Sequence, residues 1–142
     1  MRYLITAFIF SSSLLYAISS DKIEYKIILS MLNSITSHTS LSIYTDSKRI
    51  EQLLSKNNDI TFLENCDKVD ISILEKNKMI NKCVNGPIIT LEYDLLKVYP
   101  NSVGSFFWQK GRPNIVFIES RLKDQNITID SGFNDYIEET IW

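Results

Sequence analysis

Residues 102–121 read SVGSFFWQKGRPNIVFIESR, and no other stretch limits the folding of this 142-residue chain as strongly. Two apolar runs flank a polar centre that contains glycine, which is the pattern of a β-hairpin. Val103, Phe106, Phe107 and Trp108 supply the outgoing strand, Gln109-Lys110-Gly111-Arg112 the turn, and Ile115, Val116, Phe117 and Ile118 the returning strand. Gly111 is the residue expected at positive φ, since it has no Cβ to clash there. Pro113 lacks an N–H for a ladder, so it is expected at the strand entrance or on an edge. Four consecutive apolar residues in the returning strand predict burial on both faces, as in a strand covered by helices.

Upstream, short apolar runs alternate with helical patterns. Asp21-Lys22-Ile23-Glu24 has the D-x-x-E form of a capping box, and the helix after it places Ile27, Ile28, Met31, Leu32 and Ile35 on one stripe. Leu41–Thr45 is expected as a strand. Asp46 or Ser47 then caps a second helix with Ile50, Leu53 and Leu54 on its apolar face. Ile60–Glu64, Val69–Leu74 and Ile88–Leu91 read as further strands, Glu75–Cys83 as a short helical connector, and Tyr93–Val98 as one or two helical turns. Beyond the hairpin, Ser120–Gln125 predicts a helical turn closed by a left-handed Asn126. Asp130 or Ser131 is expected to cap a last helix through Glu139, with Phe133, Tyr136 and Ile137 facing inward. Strands alternating with helices predict parallel βαβ units. The expected fold is therefore a single three-layer α/β domain, with a mixed, mostly parallel sheet and a C-terminal antiparallel hairpin.

Residues 1–19 are expected to be a cleaved signal peptide rather than part of the fold. Met1-Arg2 is a short positive region, Tyr3–Phe10 and Leu14–Ile18 are apolar, and Ala17-Ile18-Ser19 offers small residues for cleavage. Ser11-Ser12-Ser13 interrupts the apolar run, which leaves it short for a membrane span of about 20 residues. The expected domain is 20–142, located in the periplasm. Export makes a disulfide the simplest reading of Cys66 and Cys83, with two buried thiols as the alternative. The formal charge of −2 gives no support to nucleic-acid binding, which calls for a basic face.

The sequence shows no familiar catalytic pattern. Its four glycines, Gly86, Gly104, Gly111 and Gly132, form no phosphate-cradling spacing. His38, the only histidine, lies in the polar connector Thr36–Ser40 and reads as solvated, and no metal-ligand spacing is present. Asp67 and Asp70 after Cys66 could do acid–base work but read better as a solvated strand entry. No cofactor and no enzymatic activity are expected. The strongest binding signal is the hairpin tip. Phe107, Trp108, Lys110 and Arg112 put two aromatics and two cations within a few residues, and Trp and Arg are favoured at contact hot spots; the alternative is that Phe106 and Trp108 cover the end of the core while Lys110 and Arg112 stay in water. Alternation sends Phe106 and Trp108 to one face and Phe107 to the other. A second signal is Thr45-Asp46-Ser47, at a strand C-terminus and a helix N-terminus, where an open α/β sheet would hold an anion or small metabolite.

The order of these elements, from a signal peptide to a late glycine-containing hairpin, resembles the YfiR-like family of small secreted bacterial proteins. The resemblance covers most of residues 21–139 and is most distinctive in the C-terminal third. Val103-Gly104-Ser105-Phe106-Phe107, Lys110-Gly111-Arg112 and Ile115–Ile118 look like the family's glycine-containing strand, basic turn and returning strand. Asn126-Ile127-Thr128-Ile129-Asp130 is similar to the family's Gly-Leu-x-Ile-Ser pattern, and Cys66-Asp67 with Val69–Leu74 to its cysteine-aspartate entry to an apolar strand. Pro113 in the turn, and Ile118-Glu119-Ser120-Arg121 where the family has an asparagine and an alanine-rich helix, depart from the pattern. The resemblance implies a non-enzymatic periplasmic regulator. Its partner would be the periplasmic part of a membrane signalling protein, a diguanylate cyclase repressed across the inner membrane. Phe107, Trp108, Lys110 and Arg112 would be contact residues, and self-association as a homodimer is compatible with the role. A small single-lobe solute-binding protein is the alternative.

Overall fold

The computed structural model describes residues 20–77 and 85–142. The signal-peptide reading of residues 1–19, most of the connector expected over Glu75–Cys83, and Cys83 itself lie outside them. Residues 20–35 form helix α1. Then follow β1 (Leu41–Thr45), α2 (Lys48–Leu54), β2 (Ile60–Phe62), β3 (Ile71–Leu74), β4 (Ile88–Thr90), α3 (Leu95–Val98), β5 (Ser102–Gln109), β6 (Arg112–Ile118) and α4 (Glu119–Asp124). A 3-10 helix (Ser131–Tyr136) and a two-residue strand, β7 (Ile137–Glu138), complete the described chain.

The seven strands make one sheet in the order β2-β1-β3-β4-β5-β6-β7. All neighbours are parallel except β5 and β6, which form the expected antiparallel hairpin. From β1 the chain winds outward to β2, then returns past β1 to β3. This is the reversal of a doubly wound sheet, with its crevice between the C-terminal ends of β1 and β3.

Helices cover both faces. Ile28, Met31 and Leu32 of α1 and Ile50 and Leu54 of α2 are buried in one cluster with Leu41, Ile43, Ile71, Ile73, Ile89, Phe106 and Phe117. The stripe expected on α1 is therefore the one that packs, with Ile27 and Ile35 at its margins. Each fully buried aliphatic side chain contributes about 2 kcal/mol of transfer free energy. The opposite face carries α3: Leu95 and Tyr99 pack with Leu74 and Ile88, and Leu96 with Val116 and Ile118. Val116, Phe117 and Ile118 are buried on the two sides of the sheet, as the apolar run predicted, whereas Ile115 is only partly buried. All four residues of β3 are buried as well, so its apolar/polar alternation marks no solvent face; Ser72 sits inside.

Three local expectations are corrected. Residue 21 is already helical, so Asp21-Lys22-Ile23-Glu24 does not cap α1; Glu24 is buried and reaches Arg49 instead. The first residues of the connector, 75–77, are not helical. The segment after Asp130 is not an α-helix through Glu139. It makes 3-10 turns to Tyr136 and then pairs Ile137 with Phe117 and Glu138 with Ile118. Tyr136 is 44% exposed rather than inward. The α4 turn and the left-handed Asn126, at φ 54°, match their expectation.

Arg121 fixes α3 against the hairpin. Its Nη1 donates to the carbonyls of Leu96, Tyr99 and Ser102 at 2.9, 3.2 and 3.0 Å and to Ser102 Oγ at 2.7 Å. A cation thus meets carbonyls at the helix C-terminus, where the helix dipole favours positive charge. Burial lowers the pKa of this guanidinium, which still stays charged at any ordinary pH.

Candidate functional site

The hairpin outgrows its sheet. β4 accompanies β5 only as far as Ser105, and β7 accompanies β6 only at Phe117 and Ile118. The pairs Phe106/Ile115, Phe107/Asn114, Trp108/Pro113 and Gln109/Arg112 therefore continue as a two-stranded ribbon. Lys110 and Gly111 close it as a two-residue turn with both φ positive, at 50° and 74°. That is the geometry of a primed turn, which matches strand twist. Gly111 adopts the expected conformation. Lys110 shares it without a glycine's freedom.

The four residues singled out at the tip have different surroundings. Phe107 is half-buried against Leu96, Val116 and Ile118 and meets Tyr93 edge-on at a 5.5 Å centroid distance. It is largely a wall of the second core. Trp108 lies on the other face, edge-on to buried Phe106 at 5.8 Å, and remains 38% exposed. Lys110 and Arg112 are exposed and make no ion pair among the described residues. Trp108, Lys110 and Arg112 thus share one end of the ribbon, while Phe107 supports them from within.

Thr45, Asp46 and Ser47 stand at the β1/β3 crevice, but their groups are already committed within the chain. Ser47 caps α2, its Oγ accepting from the Ile50 N–H at 3.4 Å. Thr45 Oγ1 accepts from the Ser47 N–H. The Asp46 carboxylate accepts from the backbone N–H groups of Glu75 and Lys76 at 2.8 and 2.9 Å. It fills the place where an anionic ligand would find those donors. The adjacent cavity of about 170 Å³ is lined by Glu51 and Glu64 as well as Tyr44, Thr45, Phe62 and Leu63, which is poor company for an anion.

His38, Asp70 and Ser42 meet at the opposite end of the sheet. Ser42 donates its N–H and Oγ–H to Asp70 Oδ2 at 2.8 and 2.9 Å, and the Asp70 N–H donates to Ser42 Oγ. His38 Nδ1 is 3.2 Å from Asp70 Oδ1. The carboxylate stands between hydroxyl and imidazole. The histidine therefore cannot take the serine proton, as nucleophilic catalysis would need. Asp67 is not part of this group. Burial pushes the Asp70 carboxyl up, but the Ser42 N–H and hydroxyl together with His38 hold it below the usual aspartate value. A depressed folded-state pKa stabilises the fold above the unfolded value of about 4, and that contribution is lost as pH falls through the folded one. Asp70→Asn is therefore expected to lower the urea midpoint at pH 7, with the gap to the parent closing as pH falls below about 4. A gap independent of pH would show that charge is not what Asp70 contributes.

Cys66 is buried and disulfide-bonded; Cys83 is the sequence's other cysteine. Among the described residues no three His, Cys, Asp or Glu side chains converge as a metal site, and no helix is long and apolar enough to cross a membrane. One aromatic group went unread in the sequence. Trp142 packs on Tyr93 at 4.9 Å, its Nε1 donates to Glu138 Oε2 at 2.7 Å, and Tyr93 links it to Phe107. Glu138 and Trp142 are four residues apart, but Tyr93 lies 49 residues before Trp142, so no local pattern could announce the aromatic contact. No family model, curated protein or solved structure matches the chain.

Proposed function

We propose that this chain is an exported, non-enzymatic α/β protein that binds the extracytoplasmic part of a membrane signalling protein and modulates it. The observation that supports this reading is the ribbon end, where Trp108, Lys110 and Arg112 stand together beyond the flanking strands. A half-covered tryptophan beside unpaired cations is the composition of a protein contact rather than of a solvated turn. The resemblance to the YfiR-like family adds the class of partner, a diguanylate cyclase held repressed from the periplasmic side. In the same reading residues 1–19 direct export and Cys66 pairs with Cys83, a bond that would stabilise by about 3 kcal/mol on the loop-entropy model. Solute binding at Thr45-Asp46-Ser47 is the weaker reading, because Asp46 already occupies the crevice donors.

Crosslinking in the native envelope, followed by identification of the captured protein, tests the proposal. The variant Trp108→Ala with Lys110→Gln and Arg112→Gln is expected to lose capture while keeping its melting temperature within a few degrees. All three side chains are exposed, and exposed substitutions usually cost little stability. Undiminished capture by this folded variant rejects the ribbon end as the contact.

A further inference from the structure

We infer that the ribbon end takes an acidic peptide segment of a partner protein, with carboxylates set beside an apolar slot for Trp108. The inference rests on the reading of the hairpin as the binding surface and adds the chemistry of what it binds. Charge carries it first. Residues 102–118 contain no Asp or Glu and hold Lys110 and Arg112, whereas the rest of the chain has 13 Lys and Arg against 17 Asp and Glu. The ribbon carries +2 on a chain whose remaining residues sum to −4, and complementary potential is what guides a partner into register.

Pairing within the fold points the same way. Arg49 is committed to Glu24 and Glu75, and Arg121 to three carbonyls and a hydroxyl. Among the described residues, Arg112 is the one arginine whose guanidinium is left without an acceptor. A planar guanidinium is suited to bidentate recognition of a carboxylate. Lys110 stands at φ 50°, a turn position that favours Asn, Asp or Gly, so a lysine there gives up local stability. Such departures from local preference concentrate where a side chain serves binding.

The edge of the ribbon narrows the mode of contact. In a two-residue hairpin the closing pair, Gln109/Arg112, exchanges hydrogen bonds and the next pair, Trp108/Pro113, does not. The backbone of Pro113 therefore faces outward, where it has no N–H to offer an added strand. On the β6 edge, recognition therefore falls to side chains. A lipid surface is disfavoured because headgroup binding uses clusters of about four to eight cations, and the tip has two.

The probe is a display library of random dodecapeptides selected on the folded chain and depleted on its Lys110→Gln/Arg112→Gln variant. Enriched peptides are expected to carry two or more Asp or Glu beside Leu, Phe or Trp. One synthesised peptide should bind roughly tenfold more weakly to Arg112→Glu and lose affinity steadily with added salt. In a Trp142→Phe background, the Trp108 fluorescence should shift to the blue on binding. Circular dichroism confirms that each variant is folded. Enrichment of peptides without acidic residues, peptides that bind the depleted variant equally, no tip-dependent peptide at all, or binding to phosphatidylglycerol vesicles instead of peptides each overturns the inference. A crosslinked partner lost by the triple variant but indifferent to Arg112→Glu and to salt would overturn the acidic segment while leaving the hairpin contact standing.

Discussion

Arg49→Met is expected to lower the free energy of unfolding by about 2–3 kcal/mol. Most single ion pairs on a protein surface are worth far less. The difference lies in the partner. The Glu24 side chain is only 5% exposed, and Arg49 holds both of its oxygens, at 2.9 and 3.0 Å. The same Nη2 reaches Glu75 Oε1 at 2.9 Å, so one guanidinium ties α1, α2 and the end of β3 together. These hydrogen bonds, that to Glu24 foremost, raise the Arg49 pKa. Burial pushes the Glu75 carboxyl up, but Ser47 and Arg49 pull it below the ordinary glutamate range. Methionine keeps the stem and removes the charge, which leaves a carboxylate inside the domain without a countercharge. The Arg49 head is about half in solvent, which puts the loss below that of a wholly buried pair. Urea unfolding checks the value, and the double variant Glu24→Met/Arg49→Met makes it diagnostic. Replacing both partners by apolar groups removes the orphaned charge, so the double variant should recover at least half of the loss. Equal losses in the single and double variants would mean that packing, not charge, is what Arg49 provides.

The features that could be read from the sequence are those whose cause is local. A glycine between two apolar runs sets the hairpin, and the α1 stripe and the Ser47 cap are likewise written within a few residues of where they act. What could not be read depends on distant partners. Glu24 looks like half of a capping box until Arg49, 25 residues on, claims it. Asp46 looks like a second cap candidate until the chain brings Glu75 and Lys76 to its oxygens. The C-terminal error has a geometric origin. Phe133 and Tyr136 are three residues apart, a spacing that suits a 3-10 turn as well as an α-helix. The choice was settled by the unpaired edge of β6, which takes Ile137 and Glu138 as a strand. At the tip, residue types gave the cluster, but only the register showed that Phe107 faces the second core while Trp108 stays partly outside.

Gly104→Ala is expected to cost about 3 kcal/mol and to lower the melting temperature by roughly 9 °C. A Cβ at Gly104 would sit 2.7 Å from the Val116 carbonyl oxygen and 2.8 and 3.1 Å from two carbons of the Phe117 ring. Neither neighbour can give way cheaply. The carbonyl belongs to the β5–β6 ladder, and the ring is wholly buried, edge-on to Phe133 at 5.3 Å. The backbone is not in the left-handed region here, so the requirement for glycine comes from close approach rather than from φ. Gly104 also lies where the β4–β5 register shifts, pairing Ile89 with Gly104 directly after Ile88 with Ser102. A wedge at this point would prise the base of the hairpin from the sheet and change the direction in which Trp108 and Arg112 point. Phe117→Leu removes the ring contact and leaves the carbonyl contact, so Gly104→Ala/Phe117→Leu should lose less than the sum of its parts, with a coupling near 1 kcal/mol. Simple additivity would place the whole cost on the carbonyl. A thermal melt of Gly104→Ala within about 1 °C of the parent would show that the two strands can separate by the necessary fraction of an ångström, and that glycine is not what sets the hairpin's angle to the sheet.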